Sequence, residues 1–260
     1  MARLCTTDGN EMGLVSGALN HASIIDGARL AGAPTTVVPH VDVDAVITAV
    51  ARHREAGRRP VIVTDSIFSM DGDAAPVAAL AGRRRGRGAV DRRRRARRVR
   101  SHTGRRPRLR RARRGNPVQV AGQPGGFVAG PRSLIDWIRN TARSFVFTTA
   151  PTPSAVGAAS AALGVLCSGE GADLVDRLRT HVKWLSPRSP SAVVPLVVGT
   201  STAALALSEA LESRGLLIPA IRPPSVPVGT ARLRIALSAA HAPEDVTRLR
   251  VALDELGVAP

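Results

Sequence analysis

The sequence predicts an α/β protein: a mainly parallel sheet with helices on both faces, followed by a smaller α/β domain at the C-terminus. Two observations predict it. Helical stretches alternate with short apolar, β-branched runs along most of the 260 residues, the pattern of parallel strands returned by helices. The hydrophobic fraction of 44%, mostly Ala, Val and Leu, supplies a sizeable core.

Taken in order, residues 42–56 (DVDAVITAVARHREA) predict a helix opened by an Asp cap and closed at Gly57. RPVIVTDS (59–66) predicts a buried strand and FSMDGDAAP (68–76) a turn-rich loop. GGFVAG (125–130) is a strand, PRSLIDWIRNTAR (131–143) a helix with Pro at its first position, and FVFTT (145–149) a strand. A long helix begins near Pro153, and Gly169 and Gly171 separate it from the stretch holding Lys183. Strands at 192–199, 215–221 and 231–237 then alternate with helices at 201–214 and 242–256. The segmentation is 1–82, 83–124, 125–185 and 186–260, the last being the smaller domain.

Charge is distributed unevenly. Residues 83–114 hold 18 arginines and one acid, Asp91, so this segment carries the whole formal charge of +17 and the rest sums to zero. Basic runs make salt-dependent contacts with phosphates. Nonspecific binding of nucleic acid or another polyanion through Arg83–Arg114 is therefore one alternative, although the run has neither lysine nor an aromatic for base stacking, and a non-functional gene product is the other. Cys5 and Cys167 suggest no disulfide framework and fit a reducing, cytoplasmic setting. The opening MARLCTTDGNEMG lacks the apolar core of a signal peptide, and the nearly apolar stretch 155–167 is too short to span a bilayer, so no membrane role is expected.

Three stretches carry a resemblance: LNHASIIDGARL (19–30), VTDSIFSMDGDAAP (63–76) and IRPPSVPVGTARLRIALSAAH (221–241). Together they resemble the α-oxoamine synthases, class-II aminotransferase-like enzymes that use pyridoxal 5'-phosphate to condense an amino acid with an acyl thioester and release carbon dioxide. The last stretch and FVFTTAPTPSAVGAA (145–159) look most like the branch that joins L-alanine to a pimeloyl thioester carried on acyl-carrier protein or coenzyme A. The resemblance implies the fold type I architecture of pyridoxal-phosphate transferases, a homodimer, and specific roles. His21 would stack on the cofactor ring and Ser69 would hydrogen-bond at or near its ring oxygen. Arg234 would grip the substrate carboxylate, for which a planar bidentate donor suits. Ser225 would line the substrate loop.

The resemblance also shows what is missing. The family continues after MDGD-x-AP with a strand ending V-D-[DE]-A-H, whose Asp holds the pyridine nitrogen, and then a T-L-S-K-type loop whose Lys forms the Schiff base. Here the span contains neither motif. We read it as coding sequence translated one nucleotide out of frame: Arg-Arg pairs written with CGN codons, read one base later, give Val, Ala, Asp or Gly, and Gly115–Gly122 can yield G-T-L-S-K-W-L. The single lysine of the sequence, Lys183, lies in a helical stretch away from the expected loop. No residue is expected to serve as the catalytic amine, and the chain as written is expected to be inactive. Relatives also carry a longer portion ahead of NHAS, and Gly17 stands where they have Asp.

Overall fold

The computed structural model describes residues 6–7, 10–82, 89–93, 113–115 and 127–260. They form two compact units. One takes in the chain to Phe68 and from Ala75 to Cys167; the other comprises Ser69–Ala74 and Ser168–Pro260. The boundary drawn at 185/186 therefore moves to Ser168, because the helix Gly169–Leu185 buries Val182 and Leu185 in the C-terminal core. The 69–74 loop likewise leaves the 1–82 segment and joins the second unit.

In the first unit β1 (Thr6–Thr7), β2 (Asn10–Gly17), β3 (Thr35–Val38), β4 (Arg59–Asp65), β5 (Ala89–Arg93), β6 (Arg113–Gly115) and β7 (Phe127–Ala129) form one sheet. The run β2–β4–β5–β6 is parallel, β3 lies parallel to β2, and β1 and β7 add antiparallel strands at the ends. Helix α1 (Ala22–Ala31) covers one face and α2 (Val43–Glu55) the other. Successive residues of a strand point to opposite faces, so Leu14 packs with Ile24 and Ala28 of α1, whereas Val15 packs with Val46 and Ala49 of α2. The continuous apolar run of β4 has the same cause: Val63 faces α1 and Ile62 faces α2.

Helix α2 keeps its predicted ends. The Asp42 carboxylate accepts the Ala45 N–H at 2.8 Å, and Gly57 follows at φ 70°. His53, on the buried face, reaches Thr36 Oγ1 with Nε2 at 3.1 Å. Its ring lies on Gly13 of β2, where any Cβ would overlap it. The glycine in mid-strand thus marks a close approach.

Three expectations are corrected. A segment so dense in arginine, and without either of the strand motifs named above, predicts an irregular, solvated loop with two sheet strands lost. Instead the backbone of β5 lies parallel to β4, Val63 opposite Asp91 and Asp65 opposite Arg93, and β6 lies parallel to β5. The peptide N–H and C=O groups at a strand edge demand partners whatever the side chains of the neighbour, so short extended pieces take the place. The rest of that tract, and the expectation that it is a solvated loop, lie outside the described residues.

The second correction concerns FVFTT. After α3 (Val77–Gly82) and α4 (Arg132–Thr141), the chain forms a short helix, α5 (Arg143–Val146), and not a strand. Among the described residues no strand pairs with 145–149, and the amides turn inward: Phe145 and Val146 donate to the Ala142 carbonyl and Phe147 to that of Arg143. Helix α6 (Pro153–Cys167) follows with no buried residue. Among the described residues no single helix is long and apolar enough to cross a membrane.

The second unit contains α7 (Gly169–Leu185), β8 (Val193–Gly199), α8 (Ser201–Glu212), β9 (Ala220–Ile221), β10 (Ala231–Ala236) and α9 (Pro243–Glu255). Its three strands run antiparallel in the order β8–β10–β9. The third correction falls here: GLLIPAI contributes only two strand residues. Pro219 has no N–H to give to a ladder, and before it Leu216 and Ile218 turn into the core while Leu217 stays exposed. That core gathers Leu185, Leu211, Leu233, Ile235, Val246 and Leu253.

Candidate functional site

In the first unit the LNHAS motif spans the carboxyl end of β2 and the start of α1, where open α/β sheets bind ligands. Asn20 is buried and spends its whole amide: Nδ2 donates to Ser16 Oγ at 2.9 Å and to the Val63 carbonyl at 2.8 Å, while Oδ1 accepts the Asp65 N–H at 3.2 Å. The buried Asp65 carboxylate in turn accepts the His21 N–H at 2.7 Å. His21 is the N-cap of α1. Its Nδ1 accepts the Ser23 N–H at 3.2 Å and lies 3.0 Å from Ser23 Oγ, and the imidazole is exposed. The motif therefore presents one imidazole from a strand end tied to its neighbour.

In the second unit the SMDGD loop, residues 69–73, docks on β10. The sequence ARLRIA alternates, so Leu233 and Ile235 enter the core while Arg232 and Arg234 share the opposite face. Arg232 Nη1 reaches Asp71 Oδ1 at 2.6 Å, and its Nε donates to the Thr230 carbonyl at 3.0 Å. Arg234 Nε donates to the Ser69 carbonyl at 2.6 Å. That bond orients the guanidinium, and its Nη1 and Nη2 make no hydrogen bond among the described residues. A planar fork oriented in this way suits a carboxylate. Gly72, at φ 67°, lies against the Val193 carbonyl of β8 so closely that a Cβ would collide with it.

The structure thus joins two of the residues singled out in the sequence, Ser69 and Arg234, through one hydrogen bond. Ser225 stands exposed in the turn where its N–H donates to the Arg222 carbonyl at 3.0 Å. His21 belongs to the other unit. Asn20, Asp65, Asp71 and Arg232 were quoted in the motifs but given no role. Their only signal was polarity at strand ends and in a turn, and their long-range partners lie 43 to 161 residues away.

Pyridoxal phosphate needs a flat ring partner, a donor near its ring oxygen, a carboxylate at its pyridine nitrogen and an amine. His21 and Ser69 have the chemistry for the first two. The amine is missing: Lys183 is exposed on α7 in the second unit, and the 260 residues contain no other lysine. The residues present do not fit covalent attachment of the cofactor, and no chemical step is derived through it. Among the described residues no cluster of His, Cys, Asp or Glu could hold a metal ion.

The aminotransferase class I and II family model matches residues 2–81 and 120–253, and the chain belongs to that family. It is similar to the 8-amino-7-oxononanoate synthases of Burkholderia thailandensis and Burkholderia mallei, each 41% identical over 283 residues covering 97% of this chain and 68% of the relative. Among solved structures it is similar to the serine palmitoyltransferase of S. paucimobilis with bound PLP-myriocin aldimine, with TM-score 0.81 and 22% identity over 98% of this chain and 69% of that one. It is also similar to 8-amino-7-oxononanoate synthase from Francisella tularensis, with TM-score 0.70 and 18% identity over 95% of this chain and 76% of that one. The fold is pyridoxal-phosphate-dependent transferase fold type I.

Proposed function

We propose that this chain follows the plan of 8-amino-7-oxononanoate synthase, a cytoplasmic enzyme of biotin biosynthesis that condenses L-alanine with a pimeloyl thioester, and that the polypeptide as written does not complete the reaction. Identity of 41% along 97% of the chain carries the first half. The exposed position of the single lysine carries the second. The oriented fork of Arg234 is the group that would take the alanine carboxylate, with Ser225 in the substrate loop and Ser69 and His21 toward the cofactor. The family match breaks off over residues 82–119, which supports reading most of the 83–124 span as out-of-frame translation.

Borohydride reduction in the presence of pyridoxal phosphate, followed by mass mapping, tests the reading. The expected result is no stable cofactor adduct and no alanine turnover. The same gene with codons 83–124 returned to the neighbouring frame is expected to give an adduct at the restored lysine loop. A cofactor adduct on Lys183 accompanied by turnover overturns the proposal.

The proposed assembly is a homodimer. Helix α6 buries none of its residues and leaves Val156, Leu163 and Val165 exposed, and Phe147 nearby is 72% exposed. Apolar side chains left exposed along one helix and just ahead of it support a contact face. Sedimentation is expected to show a dimer, shifted to monomer by Leu163→Glu; a monomer at all concentrations refutes the assembly.

A further inference from the structure

We infer that Asn20 and Asp65 are positioning residues for the His21 imidazole, holding it as the Nε2–H tautomer so that Nε2–H is the donor offered to a ligand. The inference deepens the proposed site and rests on His21 being its working imidazole, but the geometry stands on the residues alone. Asn20 and Asp65 are each 5% exposed. Asn20 joins the Ser16 hydroxyl on β2, the Val63 carbonyl on β4 and the Asp65 N–H at the end of β4. Asp65 then holds the His21 N–H at 2.7 Å. With the His21 backbone fixed at the start of α1, its Nδ1 is held where the Ser23 N–H donates to it. A ring nitrogen that accepts an N–H carries no proton of its own in the neutral ring, so the proton is on Nε2. The imidazole therefore offers an N–H donor and a flat face in one defined orientation, as stacking on an aromatic ring requires.

Removal of the Asn20 amide takes away the side-chain partner of the buried Val63 carbonyl and of the Asp65 N–H, which loosens the strand end that holds the start of α1. The discriminating pair is at Asp65. Asparagine keeps an oxygen acceptor for the His21 N–H, and alanine removes it.

The test is the nitrogen-15 spectrum of the His21 ring in the cofactor-free chain at neutral pH, assigned with a His21→Gln control. The unaltered chain is expected to show Nδ1 as acceptor and Nε2 protonated. Asp65→Asn is expected to retain that spectrum. Asp65→Ala and Asn20→Ala are expected to lose it, giving averaged ring signals. A spectrum unchanged in Asp65→Ala and Asn20→Ala overturns the inference, as does its loss in a folded Asp65→Asn. Because the measurement uses no cofactor, its failure leaves the borohydride result standing, and the reverse also holds.

Discussion

Gly72→Ala is expected to destabilise the second unit more than any other single methyl added to the loop that carries Ser69. Two costs coincide at this position. A φ of 67° is left-handed backbone, which costs a residue with a Cβ about 1–2 kcal/mol. The new methyl would also collide with the Val193 carbonyl, a backbone atom in a strand paired with β10. Overpacking of that sort adds about 1–3 kcal/mol, because the carbonyl moves only by disturbing the ladder. Thermal or urea unfolding measures the sum. Asn at position 72 tolerates the left-handed conformation better than Ala but brings the same Cβ, so it separates the two costs. If both variants unfold like the parent chain, the loop does not dock on β8 as described.

The second large effect is at Arg232 and Asp71. The Arg232 side chain is 7% exposed and its partner Asp71 32% exposed, at 2.6 Å. Removal of one partner of a buried pair costs about 3–5 kcal/mol, because the remaining charge is desolvated without compensation. Asp71→Ala is expected at the lower end of that range, since water can reach the site. Arg232→Met, which fills the buried site with apolar volume and leaves unpaired only the partly exposed Asp71 carboxylate, is expected to cost less than Asp71→Ala, which leaves the buried guanidinium unpaired. Unfolding of the two variants and of the double variant gives the coupling. An Asp71→Ala chain as stable as the parent would show that this pair does not hold the loop. Asp71 and Ser69 belong to one loop and Arg232 and Arg234 to one face of β10, so loss of the pair also frees the Arg234–Ser69 bond.

These two sites show where sequence reading stopped. The loop was legible as a turn from its glycine and aspartates, and Arg234 and Ser69 were legible from the motifs that contain them. The direct bond from Arg234 to the Ser69 carbonyl was not legible, because 165 residues separate them. The same holds for Asn20, adjacent to His21 yet bonded to Val63 and Asp65 on another strand. Periodicity located α2, β4, β8, α8, β10 and α9, whose apolar faces repeat at the helical or strand period. It failed at FVFTT, which reads as a strand by composition but has no strand beside it among the described residues, and at GLLIPAI, where a proline ends the ladder. Strand character depends on a neighbour, and neighbours are distant in sequence.

The amino-acid order alone determined the α/β class, the family resemblance, the residues able to carry chemistry and the loss of the amine, because these depend on local pattern and on which side chains exist. Tertiary structure decided which strand backbones occupy the arginine-rich slot, that the Ser69 loop belongs with β10, and that Asn20 ties down the histidine. Each depends on hydrogen bonds between distant segments. The single lysine is exposed on a helix, away from the loop that would have to supply the amine, and a cofactor trapped covalently on that lysine in a working chain would refute the proposed inactivity.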